Sequence, residues 1–459
     1  MHQCVIHRTL MVAAGRFAPG HLGELTQQVP FELVDAVLAQ TGRTQSRIRD
    51  LPARVVVYLL LAGCLFAELG YPGVWQRLTA GLDGLKVATP TASALTQARR
   101  RLGAAPLRVL FDLLRGPAPV AATPGVRVGG LLVCAIDGTT LSVADTPANL
   151  GVFTTQSGNH GGSGYPLLRL VALVACGTRS LLEVVYGPTS SGETTMCERL
   201  LGGLHAGMLV LCDRNLTTNT LTRRIAATDA HLLGRCKADR KLPLLRRLAD
   251  GSYLSVMGGV IVRVITAEIT VATRAGRATG VYRLATTLTE PHAWPVAALV
   301  ALYHQRWEIE TAYLELKSSI LGGRVLRART PQGVDQEIYA LLVCYQVLRL
   351  AMADATSTQP GIDPDRASFT IALQTARDQL IQAAGVIAST TVDLVGKIGR
   401  AVLANLLADR RLRVAPRIVK RAISKYNARG PNINRTSYKA TMRIDILTPP
   451  ASLTTGPAP

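Results

Sequence analysis

The spacing of hydrophobic and polar positions changes twice along the chain. Between residues 20 and about 115, apolar side chains recur at helical spacing, as in FELVDAVLAQTG and LPARVVVYLLLAGCLFAELG. This period predicts amphipathic or buried helices. The last helix of this region is predicted to have Ser93 as its cap and to end at Gly103. The first quarter of the chain is therefore expected to be helical.

From Gly129 onward, the pattern becomes that of short strands. GLLVCAIDGTTLSVAD is predicted to form a strand that ends near Asp137, and YPLLRLVALVACGTRSLLEVVYG to form two strands joined at GTRS. SGETTMCERLLGGLHAG follows as a helix, MLVLCDRNL as a strand with Asp213 at its end, and HLLGRCK as a candidate fifth strand. The order β-β-β-α-β predicts an α/β fold with acidic residues on its sheet.

A second change of pattern occurs between residues 240 and about 290, where Val, Ile, Thr and Tyr predict a strand-rich insertion. A single long helix is predicted to begin after Pro295 and to end at Gly322, and another begins at the Thr330–Pro331 pair. The linker GPAPVAATPG separates the first two of three predicted regions. These are a helical domain over 1–120, an α/β core over 128–350, and a helical region with a basic tail over 351–459.

The charge of the chain limits the classes of binding partner. Lys and Arg number 51 and Asp and Glu number 30, which gives a formal net charge of +21. This excess favours a polyanionic partner, but it does not separate DNA from RNA or an anionic membrane. A basic protein from a GC-rich genome, in which Arg replaces Lys, is the alternative. Two segments concentrate the charge: the run Arg99, Arg100 and Arg101, and the tail from Arg410 to Arg443, which has no acidic residue.

Each basic segment has two interpretations. The run from Arg99 to Arg101 ends a short predicted helix, which suits a DNA-binding module of the helix-turn-helix kind, but a helical bundle with a solvated basic face fits equally well. In the tail, Tyr426 and Tyr438 alternate with cations. This pattern is typical of a nucleic-acid contact or of a disordered basic segment without a single partner.

Cysteine usage and the most apolar stretch bear on the compartment. The eight cysteines are scattered without a C-x-x-C pair, which argues against a zinc site and a disulfide framework. Buried free thiols in a reducing cytoplasm are expected. The start of the chain lacks the order of a signal peptide. The apolar stretch from Val55 to Ala67 is shorter than the ~18–20 residues that span a bilayer, so it predicts a buried helix.

The segment YHQRWEIETAYLELK places an aromatic hydroxyl, cations and carboxylates on one predicted helix. An exposed Arg306–Glu310 pair alone would contribute only a few tenths of a kcal/mol. A row that binds phosphate around one metal-ligating carboxylate explains more of the pattern. At about 100° per residue, four residues fall within an arc of about 60° beside the apolar stripe. They are Tyr303, Arg306, Glu310 and Lys317.

Two further acids could share a metal site with Glu310. Asp137 and Asp213 follow apolar runs, where nothing local would neutralise a buried carboxylate. The three carboxylates would supply hard oxygen ligands for two Mg²⁺ or Mn²⁺ ions about 4 Å apart, an arrangement suited to displacement at phosphorus.

Neighbouring acids compete for these roles. Asp145 follows a predicted turn and is expected to be a loop residue. Glu308 and Glu315 point away from the cationic row on the helical wheel, at roughly 140° and 120°, and are predicted to be solvated. We therefore expect neither of them to join the metal site.

These residues carry a family resemblance. Asp137 in IDGTTL, Asp213 in LVLCDRNL and Glu310 resemble the DDE triad. The spacing from Tyr303 to Lys317 resembles the Y-R-E-K signature of transposases of the insertion sequence 4 family. The family's fold, implied by this resemblance, is an RNase H-like catalytic core with a β-rich insertion between the second Asp and the Glu.

The resemblance covers about residues 20 to 370, including DGSYL, YRLATTL and RTPQGVDQEIYALL. It implies a DNA transposase that binds the terminal inverted repeats of its mobile element as a homodimer and joins freed 3′ hydroxyls to target DNA. Such a protein would act in the cytoplasm at the nucleoid, with no membrane partner. Its triad would bind Mg²⁺ or Mn²⁺, and its Y-R-E-K cations and tyrosine would contact DNA.

Two details and two alternatives qualify this implication. Some relatives stack an extruded base on a Trp in the last strand of the insertion, where this chain has only Tyr282. A hairpin intermediate is therefore not implied by the residues. The alternatives are a catalytically inactive DNA-binding protein derived from a mobile element, and a metal-dependent nuclease of the same fold.

Overall fold

The computed structural model describes residues 9–448, apart from 46, 48, 119, 121–124, 156, 159–160, 163, 275, 384–394, 409–412 and 415–437. Cys4 and most of the predicted basic tail therefore lie outside the described residues. The seven other cysteines are buried free thiols, as expected.

The N-terminal region is helical, as the hydrophobic period predicted. A ribbon of Thr9–Val12 and Arg16–Pro19, with short 3₁₀ turns at Ala13–Gly15 and Leu25–Gln27, precedes the helices. The apolar stretch forms the second helix and is buried along its length, which confirms a core helix. The helices are α1 (Phe31–Gln40), α2 (Ala53–Leu65), α3 (Tyr71–Thr79), α4 (Ala92–Leu102) and α5 (Ala105–Leu114).

The start of α4 corrects one prediction. Thr91, not Ser93, is the N-cap, because the Thr91 hydroxyl accepts a hydrogen bond from the Ala94 N–H at 3.2 Å. The helix ends before Gly103, as predicted, and Gly103 has a φ of 69°. A glycine adopts that left-handed conformation without the strain that a Cβ would add.

A mixed sheet forms the centre of the molecule. Its spatial order is β3-β2-β1-β4-β5. Strand β2 is antiparallel to both β1 and β3, whereas β4 is parallel to β1 and β5 is parallel to β4. This confirms the predicted α/β class and the fifth strand. The bounds are β1 (Leu131–Ser142), β2 (Leu167–Ala175), β3 (Leu181–Pro188), β4 (Met208–Cys212) and β5 (His231–Arg235).

The predicted strand-rich insertion extends this sheet. It contributes β6 (Tyr253–Met257), β7 (Val260–Thr273) and β8 (Gly276–Thr286), and β8 pairs antiparallel with β5. A strand from the C-terminal region, β9 (Tyr438–Ile446), pairs with β7. The tail was predicted to be helical and then irregular, so this strand is a correction. Short strands complete the sheets: Arg127–Val128, Ser157–Gly158, Gly161–Gly162, Arg246–Arg247 and Arg413–Val414.

Helices cover both faces of the sheet. On one face, α7 and α8 bury Met196, Leu221 and Ile225 against β1 and β4. The remaining helices pack on the other face with the N-terminal region. Their bounds are α6 (Pro147–Leu150), α7 (Glu193–Arg199), α8 (Asn219–Ala226), α9 (Val296–Tyr303), α10 (Trp307–Leu314), α11 (Pro331–Ser357), α12 (Phe369–Ile381) and α13 (Gly396–Ala404), with 3₁₀ turns at Leu201–Gly203 and Pro364–Arg366.

The single long helix predicted from Pro295 to Gly322 is interrupted twice. A 3₁₀ turn, His304–Arg306, separates α9 from α10, and a π-helical turn, Glu315–Ile320, follows α10. Both interruptions change the rotation per residue, so the ideal helical wheel does not hold across the segment. Lys317 lies inside the π-helical turn.

Helix α11 is the most apolar long helix in the described part of the chain. By length and composition it could cross a membrane, but 83% of its most apolar window is buried inside the protein. Its N-cap is Thr330, whose hydroxyl accepts from the Gly333 N–H at 3.2 Å, as the Thr330–Pro331 pair predicted. We interpret α11 as a core helix.

Candidate active site

Two adjacent parallel strands carry the first two candidate acids. The register of β1 and β4 pairs Ile136 with Cys212, so Asp137 and Asp213 are the next neighbours along both strands. Asp213 directly follows β4, as predicted. Asp137 lies in the middle of β1 rather than near its end, because β1 continues to pair with β2 as far as Ser142.

Asp137 is held on several sides. Its Oδ1 accepts a hydrogen bond from the Gly138 N–H at 2.8 Å, and its backbone carbonyl accepts one from the Tyr313 hydroxyl at 2.5 Å. Burial raises the pKa of Asp137 to about 6. The carboxylates of Glu193 and Asp213 act in the same direction, whereas the Gly138 N–H and Arg306 oppose them. Asp137 therefore lies within the field of two other acids.

Asp213 is fixed by a turn. Its Oδ1 accepts hydrogen bonds from the backbone N–H groups of Asn215 at 2.8 Å and Leu216 at 2.9 Å. A short acidic side chain that binds the backbone in this way stabilises the turn that ends the strand. The carboxylate is thereby held at the end of β4, beside β1.

Arg306 brings the third acid to the first. Its Nη1 lies 3.4 Å from Oδ2 of Asp137, and its Nη2 lies 3.2 Å from Oε1 of Glu310. The Arg306 side chain is 12% exposed, so this bridge lies at the edge of the core. One guanidinium thus joins carboxylates that are far apart in the sequence. The fold brings all three predicted acids to one region.

Two other predicted contact residues serve the framework. The Tyr303 side chain is buried, and its hydroxyl donates to the Cys212 carbonyl at 3.1 Å, directly before Asp213. Lys317 Nζ lies 3.2 Å from the Thr139 hydroxyl on β1. In this arrangement Tyr303 supports the end of β4 instead of offering a hydroxyl to a phosphate. Lys317 remains at the site, two residues along β1 from Asp137.

Tyr313 is a supporting residue that the sequence analysis missed. Its hydroxyl donates to the Asp137 carbonyl and accepts from the Ala172 N–H at 3.1 Å. It therefore ties the helix that carries Glu310 to both β1 and β2. Its position in the apolar stripe predicted burial, but nothing in the pattern indicated a hydrogen bond to the strand that carries Asp137.

Glu193 is a fourth carboxylate at the site. A Cβ built on Gly138 would lie 2.2 Å from Oε1 of Glu193, so the glycine gives this side chain room against β1. Burial and then the charge of Asp213 raise the pKa of Glu193, while Arg169 and the Gly138 N–H lower it. The sequence signal was Glu193 at the start of α7 together with a glycine directly after Asp137.

The two glutamates predicted to be solvated are buried, so that prediction is wrong. Arg179 Nε lies 2.6 Å from Oε2 of Glu308, and Arg179 Nη1 lies 3.2 Å from Oε1 of Glu315. Glu315 also pairs with Arg349 and accepts from the Tyr345 hydroxyl. The helical wheel failed because Arg179 of the β2–β3 turn pairs with Glu308, while Arg349 and Tyr345 of α11 contact Glu315. Asp145 is an exposed loop residue, as predicted.

The remaining predicted DNA contacts are spread over other surfaces. Arg99 stacks on the Tyr71 ring at 3.8 Å, between the helices, whereas Arg100 and Arg101 are exposed. Tyr282, in the insertion, stacks against Arg235 at 4.0 Å. Arg235 follows Gly234, which pairs with Cys212, so this stack lies next to the Asp213 end of the sheet.

The donor set at the site suits a hard divalent cation. Asp137, Asp213, Glu193 and Glu310 offer carboxylate oxygens, the ligands that Mg²⁺ and Mn²⁺ prefer. Among the described residues, no three acidic, histidine or cysteine side chains enclose an ion as they stand. Arg306 contacts two of these acids and places a positive charge between them. The residues therefore fit a metal in chemistry, provided that Arg306 turns away.

Comparison with known proteins gives matches over most of the chain. Residues 19–112 match the family "Insertion element 4 transposase N-terminal", and residues 129–347 match the family "Transposase DDE domain". The "Transposase InsG for insertion sequence element IS4" of Escherichia coli is 26% identical over 407 residues, which cover 86% of this chain and 91% of that protein. The "Putative transposase InsZ" of Escherichia coli is 27% identical over 190 residues, covering 41% and 62%.

Among solved structures, the cryo-EM structure of a piggyBac transposase synaptic complex with hairpin DNA aligns with a TM-score of 0.44 and 11% identity. The alignment covers 84% of this chain and 85% of that one.

Proposed function

Because the chain belongs to the insertion sequence 4 family of DDE transposases, we propose that it binds the terminal inverted repeats of a mobile element and catalyses strand cleavage and strand transfer into target DNA. One observation supports the chemistry most directly. A single guanidinium, that of Arg306, reaches both Asp137 and Glu310, while Asp213 lies on the strand beside Asp137.

We assign the catalytic and metal-binding roles to Asp137, Asp213 and Glu310, with Glu193 as a fourth acid nearby. A DDE domain implies a divalent metal, and two Mg²⁺ or Mn²⁺ ions suit this number of oxygens. When bound, the metal would activate the attacking oxygen and stabilise the leaving oxygen at phosphorus. The strand order β3-β2-β1-β4-β5, with acids on β1 and after β4, supports an RNase H-like core.

The cations of the site have separate roles in this proposal. Arg306 holds Asp137 and Glu310 together before DNA arrives, and it then turns to the backbone phosphate next to the scissile bond. Lys317, which sits at Thr139, binds the same strand. An Arg or Lys beside a phosphate forms a charge-assisted hydrogen bond of about twice the usual strength. Tyr303 and Tyr313 keep the strands in place without touching DNA.

A basic cavity beside Asp213 offers a path for the DNA strand. Its volume is about 540 Å³, and Tyr253, Val281 and Leu447 give it an apolar wall. Its cations are Arg214, Arg235, Lys237 and Arg283. A cation-lined groove with aromatic side chains is typical of single-strand contacts. Tyr282 lies at this end of the insertion, stacked with Arg235.

We also propose the division of labour between the three regions. Residues 1–120 would recognise the element ends, 128–350 would cut and join, and 351–459 would add basic contacts. Two chains would act together on two ends, as a homodimer on DNA. The net charge of +21 supports association with DNA through release of counterions.

The test uses purified protein, Mg²⁺ and labelled DNA from the ends of the element that carries the gene. Asp137→Ala, Asp213→Ala and Glu310→Ala should each abolish nicking and joining while they retain specific binding. Full cleavage by any of the three variants would contradict the assignment. Specific binding by the wild type without any nicking would instead favour an inactive DNA-binding protein. Nicking without strand-transfer products would favour a nuclease.

A further inference from the structure

A second basic cavity lies far from the acids, in the N-terminal helical region. It occupies about 390 Å³ between the end of α4 and the loop that joins α1 to α2. Arg43, Arg47 and Arg49 of the loop line it with Arg101 of α4. Thr44 and Gln45, which have polar side chains, also line the cavity. All four arginines are exposed to solvent.

Among the described residues, no acidic side chain lines this cavity. The nearest acids in sequence are already paired, because Asp50 contacts Arg16 at 3.0 Å and Asp35 pairs with Arg54. Burial and the neighbouring charge of Arg49 lower the pKa of Arg101. The charges of Arg49 and Arg101 are therefore close enough to act on each other. A cluster that the fold holds in this state gains free energy when an anion enters it.

One of the four arginines, Arg43, is positioned by a contact between the loop and α4. Arg43 Nη1 donates to the Arg101 carbonyl at 3.1 Å, which ties the loop to the last turn of α4. Gly103 ends the helix at this point, and the added Cβ of any larger residue would lie 3.7 Å from Arg43 Nη2.

The fold also divides the consecutive run of arginines. Arg99 turns inwards onto Tyr71, and its carbonyl accepts from Gln336 Nε2 at 3.0 Å, so it serves the contact with α11. Arg101 instead meets loop arginines that lie more than fifty residues earlier. The sequence pointed to the run, whereas the structure assembles a different set of cations around one member of it.

We propose that Arg47, Arg49 and Arg101, with Arg43 in support, bind backbone phosphates of the element-end DNA. The planar guanidinium forks match phosphate oxygens in pairs, and several forks in one cavity suit two adjacent phosphates better than one free ion. This inference rests on the proposed function and adds to it a specific docking point. The contact would set affinity and orientation but not read the base sequence.

The test measures how DNA affinity depends on salt. The logarithm of the binding constant falls with the logarithm of salt concentration by about 0.9 for each phosphate contact. For an end-DNA duplex between about 50 and 200 mM salt, the triple variant Arg47→Gln, Arg49→Gln, Arg101→Gln should reduce that slope by about 2 to 3. The matched control removes the same charge at three exposed arginines outside the cavity: Arg77, Arg108 and Arg223, each to Gln.

Two further arms separate the outcomes. The triple Arg→Lys variant at the same positions keeps the charge and should retain most of the slope, and its thermal unfolding confirms that the region folds. Inorganic phosphate, compared with chloride at equal ionic strength, tests for a free anion. Phosphate that stabilises the wild type, combined with an unchanged DNA slope in the triple Gln variant, would show a small-anion site and overturn the DNA assignment.

Three other results would reject the inference, and one of them would reject the proposed function as well. A slope reduced equally in the triple variant and the control would mean that only net charge matters, and the cavity would then be no docking point. Wild-type protein that cuts and joins end DNA while the triple variant matches it would reject this inference and leave the proposed function intact. Wild-type protein that binds no DNA would reject both.

Discussion

Two clusters of charge flank the same short helix and differ in how they are neutralised. On one side of α10 lies the buried ion network, in which the side chains of both arginines and both glutamates are at most 8% exposed. On the other side lies the acid site, where Glu310 is 36% exposed. The buried ion network is Arg179, Glu308, Glu315, Arg349 and Tyr345, and the acid site is Asp137, Glu193, Asp213 and Glu310 with Arg306.

The difference lies in the balance of charge. The buried ion network pairs two cations with two anions, and the Tyr345 hydroxyl lies within hydrogen-bond distance of both the Arg179 carbonyl, at 3.0 Å, and Glu315 Oε2, at 3.1 Å. The acid site gathers four carboxylates around one bridging guanidinium. A closed network of this kind fixes the geometry of a helix, whereas an excess of like charge costs stability until a cation enters. The first cluster therefore fixes the helix that carries Glu310, and in the proposed function the second cluster uses Glu310 to bind metal.

The largest expected effect separates neighbours on one helix. Glu310→Gln should lower cleavage by a factor of about 10⁴, or about 5.5 kcal/mol in activation free energy, because it removes a carboxylate from the reacting centre. Its thermal unfolding should stay close to that of the wild type. Glu308→Gln, two residues away, should lower stability and change cleavage much less. The loss of stability arises because the substitution leaves Arg179 without its closest partner.

This pair is measured by single-turnover cleavage and by denaturant unfolding of the same preparations. The control is Glu198→Gln, whose side chain pairs with Arg224 at the surface of α7. That variant should change neither quantity much. Equal loss of stability in Glu310→Gln and Glu308→Gln would remove the distinction between the two clusters.

The next effect concerns the buried ion network alone. Arg349→Met fills much of the same space but leaves Glu315 with one cation fewer, in a place where its side chain is 8% exposed. Breaking a buried pair by removing one partner costs about 3–5 kcal/mol. The free energy of unfolding, from urea titration followed by circular dichroism, should fall by that amount. Adding Glu315→Gln should restore part of the loss, and a double variant as unstable as the single one would argue against a paired network.

The two clusters also show which features of the fold and the site could be predicted from the sequence. Alternation and period were enough for the strands and for the acids at positions 137 and 213, since both follow apolar runs. The spacing of Arg306 and Glu310 predicted the third acid, and Arg306 contacts both Glu310 and Asp137. Burial of Glu308 could not be predicted, because its partner Arg179 lies in the turn between β2 and β3, far away in the sequence.

Local irregularities also escaped prediction. The 3₁₀ turn before α10 and the π-helical turn after it change the rotation per residue. No residue pattern in the segment predicts either turn. The cavity around Arg101 joins residues that are distant in sequence, so only the packing of α4 against the preceding loop could show it. Pairings between distant segments are set by tertiary contacts, which periodicity within one segment does not contain.

A smaller effect tests the unbalanced charge of the acid site through pH. The pKa of Asp137 rises from 3.8 to about 6 in the folded protein, so the folded state binds this proton more tightly than the unfolded state does. Stability from this group is present below about pH 4 and is lost as pH rises towards 6. The shift of about 2.2 corresponds to at most about 3 kcal/mol. Asp137→Asn should therefore be more stable than the wild type above pH 6, with a difference that shrinks at lower pH.

Urea unfolding of both proteins at several pH values measures this difference. Asp145→Asn, at an exposed loop position, removes the same formal charge and serves as the control. If the stability difference between Asp137→Asn and the wild type stays constant with pH, the pKa of Asp137 is not raised in the folded protein, which contradicts the prediction.

The smallest effect examines how closely Glu193 belongs to the acid site. In Gly138→Ala, the new Cβ would lie 2.2 Å from Oε1 of Glu193, so that carboxylate must move away from β1. Because the end of a flexible side chain can move, the loss of stability should be only about 1 kcal/mol. The Tm increase produced by Mn²⁺ should fall as well, since an acid leaves the site. Gly187→Ala, where a Cβ would meet nothing within 4 Å, is the matched strand control.

In a Glu193→Ala background the clash is absent, so Gly138→Ala should then cost less, with a coupling energy of about 1 kcal/mol in the double-mutant cycle. Additive effects of the two substitutions would place Glu193 outside the acid site and would leave Asp137, Asp213 and Glu310 as its only acids.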